Sequence, residues 1–280
     1  MTQREITTKG FQDRVREIAK DFIAFVNSNK EYHDTNIELM LLLNKLISNI
    51  QGATLLASYR MFNESKIILR SCFETLVLFE YVSTFPKEIE KYKEDNAILE
   101  FQNLFGFYKR GFGKFENLIK AYDELSNFIG RKIPFEEKTE NGIVTYNQEL
   151  LEDYFRGGRK GFKPLSQQVR KMIDKLNEAQ SFNSKKLKEC QIILYNINSQ
   201  VAHSRLETLY SSVEDLSENK LKTEIQNCFS YSTWMLKFVI DYLVEKQGYK
   251  YPQNLHEKIV DSMNYLDFNI SEIKQEEINE

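Results

Sequence analysis

Two short runs concentrate the side chains able to handle protons or phosphate. In the first, Ile67-Ile68-Leu69-Arg70-Ser71-Cys72-Phe73-Glu74, Arg70 and Glu74 stand one helical turn apart. Helical spacing puts both on the stripe of Ile67, Val77, Leu78 and Tyr81, so an inward-facing ion pair is expected. Buried charges are costly unless paired and hydrogen-bonded, so such a pair has a reason to exist. It is either a clamp tying its helix to a neighbour or part of a site. The second run is Tyr195-Asn196-Ile197-Asn198-Ser199-Gln200-Val201-Ala202-His203-Ser204-Arg205. Tyr195, Ser199 and His203 recur every fourth residue, a polar stripe about 12 Å long on a helix. His203 shares its residue type only with His33 and His256. Its imidazole can take and give protons near neutral pH; the plainer alternative is a hydrogen-bonded structural histidine.

Other chemistries find less support. Ser199 sits in a helical run without the Gly-x-Ser-x-Gly elbow of a serine hydrolase. No His-Glu-x-x-His, Cys-x-x-Cys or Gly-rich phosphate loop occurs, so neither a metal nor a cofactor is expected. Basic residues gather at Lys109, Arg110 and Lys114, and again at Arg156, Arg159, Lys160 and Lys163, where Phe155 and Phe162 are interleaved. The latter set suits a nucleic-acid backbone with stacked bases, or is simply a solvated loop.

Helices must position these groups. The chain has 280 residues but only 11 glycines and 4 prolines, too few turn formers for an all-β fold. Apolar periodicity predicts a first helix through Phe11, Val15, Ile18, Phe22 and Phe25, then a central one from Ile37 to about Phe62. Asn63-Glu64-Ser65 reads as a turn before a buried helix from Ile67 to Phe85, which Pro86 stops. Two charged helices are expected between Lys87 and Ile129, broken near Gly106, Gly111 and Gly113. Residues 130–163 depart from the pattern, with Asn141-Gly142 marking a hairpin turn before Ile143-Val144-Thr145-Tyr146. Helical runs resume over Leu165 to Leu176, Ser184 to Ala202 and Leu221 to Lys246, the last closed by Gly248 and Pro252. The expectation is an all-α multi-helix bundle, a single domain over 1–270 with an irregular or hairpin excursion at 130–163. Residues 271–280 read as an acidic, disordered tail.

The net charge of −3 excludes a global basic field. Cys72, Cys190 and Cys228 are dispersed in apolar surroundings and read as reduced, buried thiols. Glu38 and Lys45, like Lys237 and Asp241, interrupt the most apolar stretches, and the N-terminus carries no export signal. A cytoplasmic protein with no membrane segment is expected.

With both motifs in view, the chain resembles a family of uncharacterised bacterial all-helical proteins that share a Leu-Arg-x-x-x-Glu helix and a later Tyr-x-x-x-Ser-x-x-x-His helix. Residues Gly52 to Tyr81 and Tyr195 to Ser204 carry the likeness. That family is similar to HEPN (higher-eukaryote and prokaryote nucleotide-binding) domains, helical bundles that commonly dimerise and include metal-independent ribonucleases of toxin and phage-defence systems. In active members an Arg, a polar residue and a His share one helix. By this resemblance His203 matches the His and Ser199 the polar residue. Asn198 stands where the Arg would be, removing the fixed charge that stabilises a phosphorane-like transition state. Arg70 or Arg205 would have to supply it.

The resemblance thus implies an RNA-directed homodimer, with a partner protein in a defence system. As a metal-independent endoribonuclease it would use His203 as general acid or base, Ser199 and Tyr195 to orient it, and Arg70, held by Glu74, as the phosphate-facing charge. Arg156, Arg159, Lys160 and Lys163 would bind nucleic acid. The competing expectation is a non-catalytic helical binding or scaffolding module, in which the same polar residues form an internal network.

Overall fold

The computed structural model describes residues 3–28, 37–112, 114–128, 137–140, 143–146, 168–191, 194–195 and 218–259. Helix α1 spans Gln3–Asn27, α2 Ile37–Ser58, α3 Phe62–Thr84, α4 Glu88–Lys109 and α5 Phe115–Phe128. A hairpin of β1 (Glu137–Glu140) and β2 (Ile143–Tyr146) follows, then α6 (Val169–Glu178), α7 (Ser184–Cys190) and α8 (Glu218–Gln247). A further helical segment covers 253–259. The architecture is all-α with one small hairpin. It divides into two compact units, Met1–Thr84 with Lys171–Glu280, and Phe85–Arg170.

In the first unit α2 and α3 form an antiparallel-type hairpin that α8 covers, while α1 packs on α2. Leu42, Leu43, Leu46, Ile47, Ile50, Ala53 and Ala57 are the buried apolar residues of α2, and on α3 Leu69, Cys72, Phe73, Leu76, Val77 and Phe79 join them. Small residues let the two helices approach: the Ser65 hydroxyl donates to the Ala53 carbonyl at 2.8 Å and lies 3.4 Å from Cys228 Sγ. Val15, Ile18, Phe22 and Phe25 are buried on α1, and the Phe25 ring meets Tyr249 edge-on at 5.6 Å. By length and composition α2 would also pass as a membrane-crossing helix. Glu38 and Lys45 therefore do not take it out of that class, and α2 packs against α1, α3 and α8.

Helix ends show how local chemistry sets the boundaries. The turn expected at Asn63-Glu64-Ser65 lies instead at Tyr59-Arg60-Met61, and α3 begins at Phe62. Arg60 takes a left-handed conformation (φ +63°), with Met61 N–H bonded to the Leu56 carbonyl and Arg60 N–H to that of Ala57. This is a Schellman closure built on a residue with a Cβ. Gln180 (φ +50°) repeats it after α6, where Ser181 N–H reaches the Leu176 carbonyl. Glycine does the same work for α4 and α8, at Gly111 (φ +78°) and Gly248 (φ +70°). Pro86 bars its preceding residue from helical geometry, and α3 stops at Thr84.

In the second unit α4 and α5 pack together, burying Ile89, Ala97 and Ile98 on one and Leu118 and Tyr122 on the other. Gly106 stays within α4 rather than breaking it. The strands pair in the register Glu137↔Tyr146 to Glu140↔Ile143. The rest of the 130–163 excursion and the 271–280 tail lie outside the described residues.

Candidate functional site

Helix α3 lays three charged side chains along one edge at successive turns: Lys66, Arg70 and Glu74. They border the buried face rather than sitting in it. Arg70 Nε donates to Glu74 Oε1 at 3.0 Å, and the two side chains are 21% and 30% exposed. Lys66 Nζ reaches across to Glu224 Oε1 on α8 at 2.6 Å. From α2, Lys45 adds positive potential near Glu74, and Asn49 Nδ2 donates to the Ser71 hydroxyl at 3.2 Å.

The other wall comes from the second motif. After α7, Gln191, Leu194 and Tyr195 have π-helical geometry, a widened turn that recurs at functional sites. Arg70 Cζ lies 5.0 Å from the centroid of the Tyr195 ring, a cation–π contact. The two sequence motifs, more than a hundred residues apart, therefore meet through these side chains. Ser199, His203 and Asn198 lie outside the described residues, as do Arg156, Arg159, Lys160 and Lys163.

The charges here are largely paired, Arg70 with Glu74 and Lys66 with Glu224. Burial pushes the Glu74 carboxyl above its ordinary value, and the Arg70 charge and hydrogen bond pull it back. Arg70 uses Nε on Glu74 and lies over the Tyr195 ring; its terminal amino groups make no hydrogen bond among the described residues. Such a pre-oriented planar fork fits two oxygens of a phosphate. Tyr231 on α8, half-buried, is raised by burial and by Glu224 and Cys190 nearby. Among the described residues, no three His, Cys, Asp or Glu side chains are grouped to hold a metal ion.

A second polar cluster, dry and unforeseen, sits about a quarter turn round α3. Glu80 is 1% exposed. Its Oε1 accepts from the Ser181 hydroxyl and from the Asn183 backbone N–H, both at 2.9 Å, while Asn183 Nδ2 donates to the Phe238 carbonyl at 3.2 Å. Burial raises the Glu80 carboxyl above its ordinary value, with these donors opposing. Beside it, Lys175 Nζ donates to the Tyr81 hydroxyl at 3.0 Å. The role of Glu80 is to fasten the α6–α7 turn to α3. The available signal was a lone carboxylate in Leu76-Val77-Leu78-Phe79-Glu80-Tyr81-Val82, apolar on both sides. Lys66 was legible as the preceding member of the Arg70–Glu74 series; its remote partner Glu224 was not.

A cavity of about 780 Å³ opens elsewhere in the first unit, lined by Asp21, Phe25, Tyr251 and Leu255 among others. Asp21 and Lys258, two of its lining residues, form an ion pair. Neither Arg70 nor Tyr195 lines it.

No curated protein and no solved structure matches the chain significantly. A family model does, over residues 37–221, which takes in both motifs and α2 through the start of α8. On that match the chain belongs to DUF5677, a family of unknown function.

Proposed function

We propose that the protein is a HEPN-like, RNA-directed factor acting as a metal-independent endoribonuclease in bacterial stress or phage defence. The observation that carries this reading is the Arg70–Tyr195 contact, which draws the first motif to the start of the second. Arg70, oriented by Glu74 and Tyr195, supplies the phosphate-facing charge. His203, eight residues beyond Tyr195 in sequence, takes the proton from the ribose 2′-OH or returns one to the leaving oxygen, and Ser199 orients it. Asn198 contributes a neutral donor where active HEPN proteins carry Arg. The protein works in the cytoplasm as a homodimer, with a partner protein that controls it, and Arg156, Arg159, Lys160 and Lys163 help hold the strand.

The test is cleavage of a mixed-sequence single-stranded RNA in the presence of EDTA, by the wild type and by Arg70→Ala and His203→Ala. Loss of cleavage in both variants, with binding retained in His203→Ala, is expected. Cleavage that survives His203→Ala removes the catalytic assignment. One observation favours a second reading: Glu74 already neutralises Arg70, as an internal clamp would. A non-catalytic scaffold predicts that His203→Ala lowers Tm while no RNA is cut. A catalytic histidine can be replaced with little loss of stability.

A further inference from the structure

The second unit carries a surface that the proposed site does not use. Between 101 and 115 the sequence reads FQNLFGFYKRGFGKF, with five phenylalanines, one tyrosine, three basic residues and no acidic one. The fold turns part of this run outward. Leu104, Phe107 and Phe112 are exposed by 40%, 60% and 75%, and Arg110 and Lys114 beside them are exposed too. The exposure is built rather than incidental. Gly111 (φ +78°) closes α4, its N–H bonded to the Tyr108 carbonyl, and Phe112 N–H bonds to the Phe107 carbonyl at 3.1 Å. That closure brings the Phe107 and Phe112 rings edge to face, with centroids 6.3 Å apart. Two rings are thus fixed on a hydrogen-bonded helix end, each large and open to solvent, with exposed Arg110 and Lys114 adjacent to them in sequence.

We infer that this tip of α4 is a single-strand RNA platform, with bases stacking on Phe107 and Phe112 and phosphates meeting Arg110 and Lys114. Aromatic faces bind unpaired bases regardless of sequence, whereas a duplex keeps its base faces stacked inside. The positive charge without a carboxylate in the run complements a phosphate backbone. The choice of RNA over DNA rests on the proposed function; the platform itself rests on its own geometry and lies away in sequence from Arg70, Tyr195 and His203.

Fluorescence anisotropy with a uridine oligomer of about 12 nucleotides tests it on the full-length protein. Phe107→Ser with Phe112→Ser is expected to weaken binding by roughly ten-fold or more. Arg110→Ala with Lys114→Ala is expected to lower the salt slope of log K by about 1.4. These side chains are exposed, so Tm stays within a few degrees of wild type, and circular dichroism verifies that each variant is folded. Unchanged affinity in the serine variant, or no binding by the wild type, overturns the platform. So does tighter binding to the thymidine deoxy-oligomer than to uridine, or ring-dependent binding to phosphatidylglycerol vesicles without RNA binding. Arg70→Ala separates the two proposals: if it leaves cleavage intact while the serine variant loses RNA binding, the catalytic reading fails and the platform stands.

Discussion

Arg70 and Tyr195 face each other across the edge of α3, with the guanidinium carbon 5.0 Å from the ring centroid and Nε held 3.0 Å from Glu74. Two groups thereby share one cation: a carboxylate at Nε and an aromatic ring near the guanidinium carbon. Arg70→Lys keeps the charge and loses the directed Nε bond and the planar, multi-donor guanidinium. The expectation is that Arg70→Lys recovers little of the RNA cleavage lost in Arg70→Ala, measured as kcat/KM on the same substrate. Full rescue by lysine would show that only charge matters there.

Removing Glu80 is expected to cost more than removing any surface carboxylate. Glu80→Ala deprives the Ser181 hydroxyl and the buried Asn183 N–H of their acceptor, at about 3 kcal/mol. Urea titration of the wild type and the variant measures the difference. Glu80→Gln, which keeps an acceptor oxygen, is expected to lose less.

The sign of a pH effect follows from the same residue. Burial raises the folded-state carboxyl of Glu80 above its ordinary value, so between the two values the folded chain holds a proton that the unfolded chain has released. Its stabilising contribution is full below the ordinary carboxylate value and lost as pH rises through the folded one. Glu74 shifts in the same direction. Tm measured from pH 4 to 8 is expected to show this downward contribution with rising pH in the wild type and a flatter one in Glu80→Gln. The comparison is the difference between the two curves.

Left-handed backbone at two residues with a Cβ offers a gain in stability. Arg60→Gly and Gln180→Gly are each expected to stabilise by about 1 kcal/mol, raising Tm by roughly 2 °C, because glycine adopts these angles without the Cβ clash. Calorimetry of single and double variants checks this; the sites share no partner, so the gains should add.

All three thiols are buried and free. Burial pushes Cys190 up to about 12 and Cys228 up to about 11, and raises Cys72 further. None is expected to react with a disulfide reagent in the native protein at pH 8, and all three should react in guanidinium chloride. A fast-reacting thiol in the folded state would contradict the packing around it.

Sequence patterning reached far into this fold because most of its rules are local. Apolar spacing located α1, α2 and α3, and the glycines at 111 and 248 marked helix ends where a left-handed residue is needed. Asn141-Gly142 marked the hairpin connection. The α2–α3 turn was misplaced because Arg60 carries no turn preference, and because Ser65, a residue suited to turns, instead spends its hydroxyl on the Ala53 carbonyl inside α3. In the candidate site, Arg70 and Glu74 were readable from their spacing within one helix. The Lys66–Glu224 bridge joins residues 158 positions apart, and Glu80 finds its donors 101 and 103 positions away. Such pairings depend on which helices become neighbours, which no short window of residues specifies.

The order in which the first unit is made matters as much as its final form. Helices α1 and α3 emerge from the ribosome next to α2, but α8, which completes its cover, starts only at Glu218. At roughly 5–20 residues per second, the nascent chain waits on the order of ten seconds between finishing α2 and beginning α8. For that interval its greasiest rod is only partly sheathed, so ribosome stalling or early release inside this window yields a sticky fragment.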